Sequence, residues 1–287
     1  MSTTFGIDVS EYQSEIDWEK VKAAGKTFAI LRCGYGRYES QIDRRFLENY
    51  KNAKAAGVHV GAYLFSYAVT PEQAREEAHN CLALIRGKLF EYPIVYDVET
   101  AAQRKLGKEK LSANVQAFCE TMEQNGCYVS LYSNLDFLRN VLTTAVTSRY
   151  DIWLAQWASK PTYTGAFGMW QYSAAGKVPG ITGAVDLDIS YKDYPSIMRK
   201  NALNGFGAAE SDPERAPYAG QPIVLTCEKL YISSTACFHT ARVSGTYYLY
   251  SVPAVHGRYP LTNRPGRVGQ KPAWLHVTGW IDANAVS

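Results

Sequence analysis

Pro93-Ile94-Val95-Tyr96-Asp97-Val98-Glu99 is an apolar run that ends in two acids. A short run of this kind, opened by proline and rich in β-branched and aromatic residues, reads as a buried strand. Side chains alternate along a strand, so Asp97 and Glu99 are expected on one face. Two carboxylates held side by side cannot both ionise freely, and one is pushed toward a higher pKa.

Outward from this strand, the first 200 residues alternate strand-like and helix-like stretches. Further strands are predicted over 5–9, 27–31, 58–65, 128–132, 152–156, 168–172 and 185–189. Helices are predicted over 17–24, 44–56, 71–87 and about 110–125. The third has Pro71 at its first position and Thr70 as its cap; the fourth is closed by Gly126. Alternation of strand and helix implies an α/β fold with a mostly parallel sheet and helices outside it. Eight strands suggest a closed barrel, and the last three have little helix between them, so the barrel is expected to be irregular.

Composition limits the alternatives. With 46% hydrophobic and 20% charged residues, the 287-residue chain should fold as a globular protein rather than stay disordered. Its length fits one barrel, or a large domain with a small one. A formal net charge of +3 is too small to argue for nucleic-acid binding. No apolar run is long enough to span a bilayer. The N-terminus enters a strand almost at once, without the basic start and apolar stretch of a secretory signal. None of the six cysteines (Cys33, Cys81, Cys119, Cys127, Cys227, Cys237) forms a C-x-x-C pair or a zinc-like spacing, so free buried thiols are expected. The five histidines are scattered, and neither a metal nor a cofactor is expected.

Three regions are expected: a barrel over 1–200, a linker over 201–220 with Pro213 and Pro217, and a small all-β module over 221–287. The module carries six basic residues (Lys229, Arg242, Arg258, Arg264, Arg267, Lys271) against Glu228 and Asp282. A basic, tyrosine-rich module suits an anionic polymer; a solvated surface over a tyrosine core is the alternative.

In a parallel barrel, strand ends converge on one face, where active sites sit. Acids from distant segments gather at predicted strand ends: Asp8 in the first strand, Asp97 and Glu99 in the fourth, Asp186 and Asp188 in the last. A proton donor beside a stabilising anion is what cleavage of a glycosidic bond requires. Tyr35, Tyr63, Phe65, Tyr96, Tyr132, Trp157 and Trp170 lie at the same ends, and flat aromatic faces suit sugar rings.

These residues carry a resemblance. Gly6-Ile7-Asp8-Val9-Ser10 with Tyr12-Gln13, Gly57, Gly61-Ala62-Tyr63-Leu64-Phe65, Asp97-Val98-Glu99, Trp153-Leu154-Ala155-Gln156-Trp157, Trp170-Gln171-Tyr172 and Gly183-Ala184-Val185-Asp186-Leu187-Asp188 make the chain resemble the family 25 glycoside hydrolases, the N-acetylmuramidase lysozymes of phage endolysins and bacterial autolysins. The resemblance covers residues 4 to about 195. It implies an irregular (β/α)5(β)3 barrel that cleaves the β-1,4 bond from N-acetylmuramic acid to N-acetylglucosamine in peptidoglycan. It makes Glu99 the general acid, with Asp8, Asp97 and Asp186 supporting. Tyr35, Tyr63, Phe65, Tyr132, Trp157, Gln171 and Asp188 are expected to bind sugar or to pack around the site. Ser244-Gly245-Thr246-Tyr247-Tyr248 and Val277-Thr278-Gly279-Trp280-Ile281 resemble bacterial SH3-like wall-binding modules, which implies a second partner, an anionic wall polymer.

Glu99 is expected to be protonated, its pKa raised by burial and by Asp97. Asp8 or Asp97 then attacks or stabilises, or the substrate's own acetamido group attacks with Asp97 or Asp186 orienting it. Alternatives are a wall-glycan binder that does not cut, and a hydrolase of another amino-sugar polymer such as chitin. Lacking a signal, the protein is expected to be made in a bacterial cytoplasm and to reach the wall by another route, as a phage endolysin does; a bacterial autolysin is the alternative. Met198 is either an internal start, yielding a free module that associates with the full chain, or an ordinary buried methionine.

Overall fold

The computed structural model describes residues 3–206, 217–252, 255–271, 273–282 and 286. The chain divides into two compact units, Met1–Ala209 and Glu210–Ser287.

The first unit is an eight-stranded closed barrel in sequential order. Five strands are each followed by helix: β1 (Thr4–Val9) by α1 (Trp18–Ala23), β2 (Phe28–Tyr35) by α2 (Phe46–Ala55), β3 (His59–Phe65) by α3 (Pro71–Ile85), β4 (Ile94–Asp97) by α4 (Ala101–Arg104) and α5 (Lys108–Gln124), and β5 (Val129–Asn134) by a π-helical turn (Phe137–Val141) and α6 (Thr144–Arg149). The strands β6 (Asp151–Ala155), β7 (Met169–Gly176) and β8 (Val185–Ser190) follow with no helix between them, and α7 (Tyr194–Lys200) closes the series. Neighbouring strands run parallel from β1 through β7. The last strand, β8, is antiparallel to both β7 and β1.

Thr70 caps α3 by accepting from Gln73 N, and Pro71 loses no hydrogen bond at the first helical position. On β4 the alternation holds. Tyr96 points outward, its ring stacked on Phe118 of α5 at 3.8 Å and its hydroxyl donating to Glu77 Oε2 at 2.7 Å. Val95 points inward, into a core with Phe28, Ile30, Trp153 and Met169. Burying such aromatic and aliphatic side chains contributes about 1.5–3 kcal/mol each.

Two boundaries differ from the sequence reading. Apolar pattern ends β2 at Leu31, yet the strand continues to Tyr35 through Arg32. The expected linker also begins too early. Leu203 and Phe206 pack on the barrel core, and Asn204 is buried. Residues 207–216 of that segment lie outside the described residues. Met198 is fully buried in the barrel core.

The second unit is built on a four-stranded antiparallel sheet, ordered β12-β11-β10-β9. Its strands are β9 (Pro222–Leu230), β10 (Ala241–Leu249), β11 (Arg258–Thr262) and β12 (Gly279–Asp282), with a 3-10 turn (Pro265–Arg267) and a short helical turn, α8 (Ala273–His276). Ile223, Leu225, Leu249, Leu261 and Ile281 form its core. All six cysteines are free thiols; Cys33, Cys81, Cys119 and Cys127 are buried, and Cys227 and Cys237 are exposed. Among the described residues no helix is long and apolar enough to cross a membrane.

Candidate active site

Three distant segments bring acids to one end of the barrel. Asp8 is the penultimate residue of β1, Asp97 ends β4, and Glu99 lies two residues further on. Asp186 is the second residue of β8 and pairs directly with Asp8. Because β8 runs antiparallel, its start, not its end, reaches this mouth. Asp188 therefore lies one side-chain layer deeper, fully buried, with Oδ1 accepting from Trp153 Nε1 at 2.9 Å. Strand direction thus separates the two aspartates expected in the last strand, Asp186 at the mouth and Asp188 beneath it.

Asp8, Asp97, Glu99 and Asp186 line one cavity of about 230 Å³, together with Tyr63, Phe65, Tyr132 and Gln171. Gln171 is the hub of its polar wall. Its Nε2 donates to Asp8 Oδ2 at 2.8 Å, and its Oε1 accepts from Tyr132 Oη at 3.0 Å and Trp157 Nε1 at 3.1 Å. Three of the expected sugar-binding residues do not line this cavity. Trp157 is exposed and reaches the wall only through Gln171; Tyr35 packs edge-on to Tyr67; Asp188 is sealed beneath Asp8.

The electrostatics follow from burial. Like carboxylates directly opposite on antiparallel strands repel, and burial penalises each charge further. Desolvation, then Asp188 and Asp186, push the Asp8 carboxyl well above its usual range. Desolvation raises Asp188 to about 8, with the Trp153 indole N–H opposing. Asp97 is also pushed well up, by desolvation and then by Glu99, with Arg32 pulling the other way. The Glu99 side chain is exposed at the mouth, yet the surrounding protein still desolvates its carboxyl, and that and Asp186 raise its pKa. The repelling neighbour of Glu99 is thus Asp186, not Asp97 as the adjacent pair implied. The buried Asp97 is the group that feels Glu99. Among the described residues no three His, Cys, Asp or Glu side chains are grouped to hold a metal ion.

Sequence reasoning missed Arg32. It is buried, lines the cavity and donates to Asp43 and Glu11. The signal was a single cation inside the apolar run Phe28-Ala29-Ile30-Leu31-Arg32-Cys33, which a buried strand accepts only if paired.

Carboxyl groups of raised pKa facing one cavity at the mouth of an α/β barrel are an arrangement that glycoside hydrolases use. The pattern of the family described as "Glycosyl hydrolases family 25" matches residues 7–181, and the chain belongs to that family. It is 28% identical over 184 residues to the autolytic lysozyme of Clostridium acetobutylicum, covering 64% of this chain. It spans about half, 54%, of that enzyme's length. It is 31% identical over 195 residues to lysozyme M1 of Streptomyces globisporus, covering 63% of this chain and 65% of that one. Among solved structures it is similar to the bacterial lysozyme from Streptomyces coelicolor, at 29% identity and a TM-score of 0.57, over 71% of this chain and 98% of that one.

Proposed function

We propose that the chain hydrolyses the β-1,4 bond between N-acetylmuramic acid and N-acetylglucosamine in bacterial peptidoglycan, with Glu99 as the general acid. The observation that carries this reading is the exposed Glu99 carboxyl, raised in pKa, on the same cavity as the buried Asp97, Asp8 and Asp186. A raised pKa holds the proton on Glu99 to higher pH than an ordinary glutamate would, so it can donate to the departing glycosidic oxygen. The oxocarbenium-like centre then needs electrons from the opposite face.

In this reading they come from the substrate's own 2-acetamido oxygen, and Asp97 orients that group by accepting its N–H. Asp97 suits the role: it is buried, and its Oδ1 has no donor among the described residues. Asp8 and Asp186 support from the paired strands β1 and β8 at the same mouth. Gln171 and Tyr132 fix Asp8, and Tyr63, Phe65 and Trp157 offer aromatic faces to the sugar rings.

The second unit, in the same reading, is an SH3-like module that holds the enzyme on an anionic wall polymer. Lys229, Arg242, Arg264 and Lys271 are exposed cations on it. Pelleting of the full chain with wall sacculi should weaken as salt rises.

The deciding experiment digests purified peptidoglycan with wild type and Glu99→Gln, then identifies the new reducing ends by mass spectrometry after borohydride reduction. Reduced N-acetylmuramic acid from wild type alone is the expected result. Reduced N-acetylglucosamine would move the cleaved bond. No new ends would leave a glycan-binding protein.

A further inference from the structure

Among the described residues Arg32 is the one cavity-lining group of opposite charge to the acids, and the backbone is bent to put it there. The β2–β3 register slips at this point: Arg32 pairs with Tyr63, and Gly34 with Leu64, so Cys33 is an extra residue. Such a bulge re-aims the side chain beside it. The Cys33 carbonyl, left out of the ladder, accepts from Asp43 N at 3.0 Å, and Ile42 bridges back to Gly34. The returning loop thereby delivers Asp43 to Arg32.

The guanidinium is held on several sides. Nε donates to Asp43 Oδ2 at 2.7 Å and Nη2 to Glu11 Oε1 at 2.9 Å. The group lies 5.0 Å from the Tyr12 ring centre and 5.8 Å from that of Tyr35. Nη1 has no hydrogen-bond partner among the described residues and is not sealed from solvent, while Arg32 lines the cavity. One pre-positioned donor is therefore left for a ligand. Glu11 also pairs with Arg44, so two cations and two carboxylates balance here. A locally neutral cluster with one spare N–H suits a neutral acceptor, a carbonyl oxygen, better than a free anion.

Both sugars of the proposed substrate carry a 2-acetamido group. Only the muramic residue carries a 3-O-lactyl group, whose carbonyl is an amide where a stem peptide is attached. We propose that Arg32 Nη1 donates to this lactyl carbonyl and is the residue by which the site prefers muramic acid to glucosamine units. This rests on the peptidoglycan reading above and deepens it. A site built to hydrogen-bond one group discriminates against the analogue that lacks it.

Calorimetry on the full chain with N-acetylmuramoyl-L-alanine and with N-acetylglucosamine tests this directly. Wild type should bind the muramoyl ligand on the order of tenfold more tightly. Arg32→Lys keeps the charge but not the fork, and should lose that preference and raise KM on glycan strands without moving the pH profile. Equal wild-type affinities overturn the proposal, as does an Arg32→Lys protein that keeps the preference. A shifted pH profile with KM unchanged also overturns it, because Arg32 would then act through Asp97. Should the lysine variant not fold, the wild-type comparison still decides. Wall digestion that survives Glu99→Gln would sink the parent reading instead, and the two failures are distinct.

Discussion

Gln171 and Asp8, 163 positions apart in sequence, meet across the barrel mouth, with Nε2 donating to Oδ2 at 2.8 Å. The amide cannot turn over, because its Oε1 already accepts from Tyr132 and Trp157. Gln171→Glu replaces the donor with another carboxylate beside Asp8. Leaving the buried Asp8 oxygen without its donor costs about 1–3 kcal/mol, so kcat/KM on walls should fall by about five- to a hundredfold. The loss should deepen as pH rises and the added acid ionises. Wild-type kinetics across pH in this variant would remove Gln171 from the site.

Asp186 raises the Glu99 pKa by facing it with negative charge. Asp186→Asn takes that charge away, so Glu99 releases its proton at lower pH. The alkaline limb of kcat/KM, which reports loss of the acid's proton in the free enzyme, should move toward acid. Desolvation, the larger cause, is untouched, so Glu99 should stay above the ordinary glutamate range. A pH–rate profile on soluble glycan strands reads this; an unmoved or alkaline-shifted limb would contradict the assigned neighbour.

Asp188 links the site to stability. Its carboxyl is raised from 3.8 to about 8 in the folded chain. Between those values the folded chain keeps a proton that the unfolded chain has released. The stability contributed by this group is therefore full below about pH 3.8 and lost as pH rises toward 8. Asp188→Asn keeps the acceptor for Trp153 Nε1 and never ionises. It should match wild type near pH 4 and gain on the order of a few kcal/mol relative to it by pH 8, measured by denaturant unfolding. A constant difference across that range would mean the cluster is not proton-linked.

The sequence shows these features unequally. Short apolar runs such as Pro93 to Val98 mark strands wherever they pack, and Thr70-Pro71 marks a helix start by chemistry local to the turn. Strand direction leaves no such trace. Leu187 and Ile189 alternate with Asp186 and Asp188 whichever way β8 runs, so which aspartate reaches the mouth depends on pairing with β1. Arg32 was hidden for a related reason. A charged residue ends an apolar pattern, and its partners Glu11 and Asp43 come from other segments. The Asn204 region looked like linker because Asn-Gly-Phe-Gly is turn chemistry, and its tether to the barrel is invisible locally.

That tether gives the last prediction. Asn204 Oδ1 accepts from Tyr128 N at 2.8 Å, and Nδ2 donates to Tyr92 O at 2.9 Å. Its own backbone N–H donates to Gly126 O at 3.0 Å, and its carbonyl accepts from Phe90 N at 3.2 Å. One side chain thus completes the entrances to β4 and β5, the strands carrying Asp97 and Tyr132. Its φ of 52° lies in the left-handed region, which asparagine tolerates better than alanine. Asn204→Ala leaves a buried N–H and a buried C=O unpaired and adds backbone strain. About 2–4 kcal/mol of barrel stability should be lost, read as a lower denaturant midpoint with little change in kcat/KM at 25 °C. Asn204→Gly relieves the backbone but not the hydrogen bonds and should recover only part of the loss. A cost below about 0.5 kcal/mol for alanine would mean that residues 201–206 behave as a surface linker.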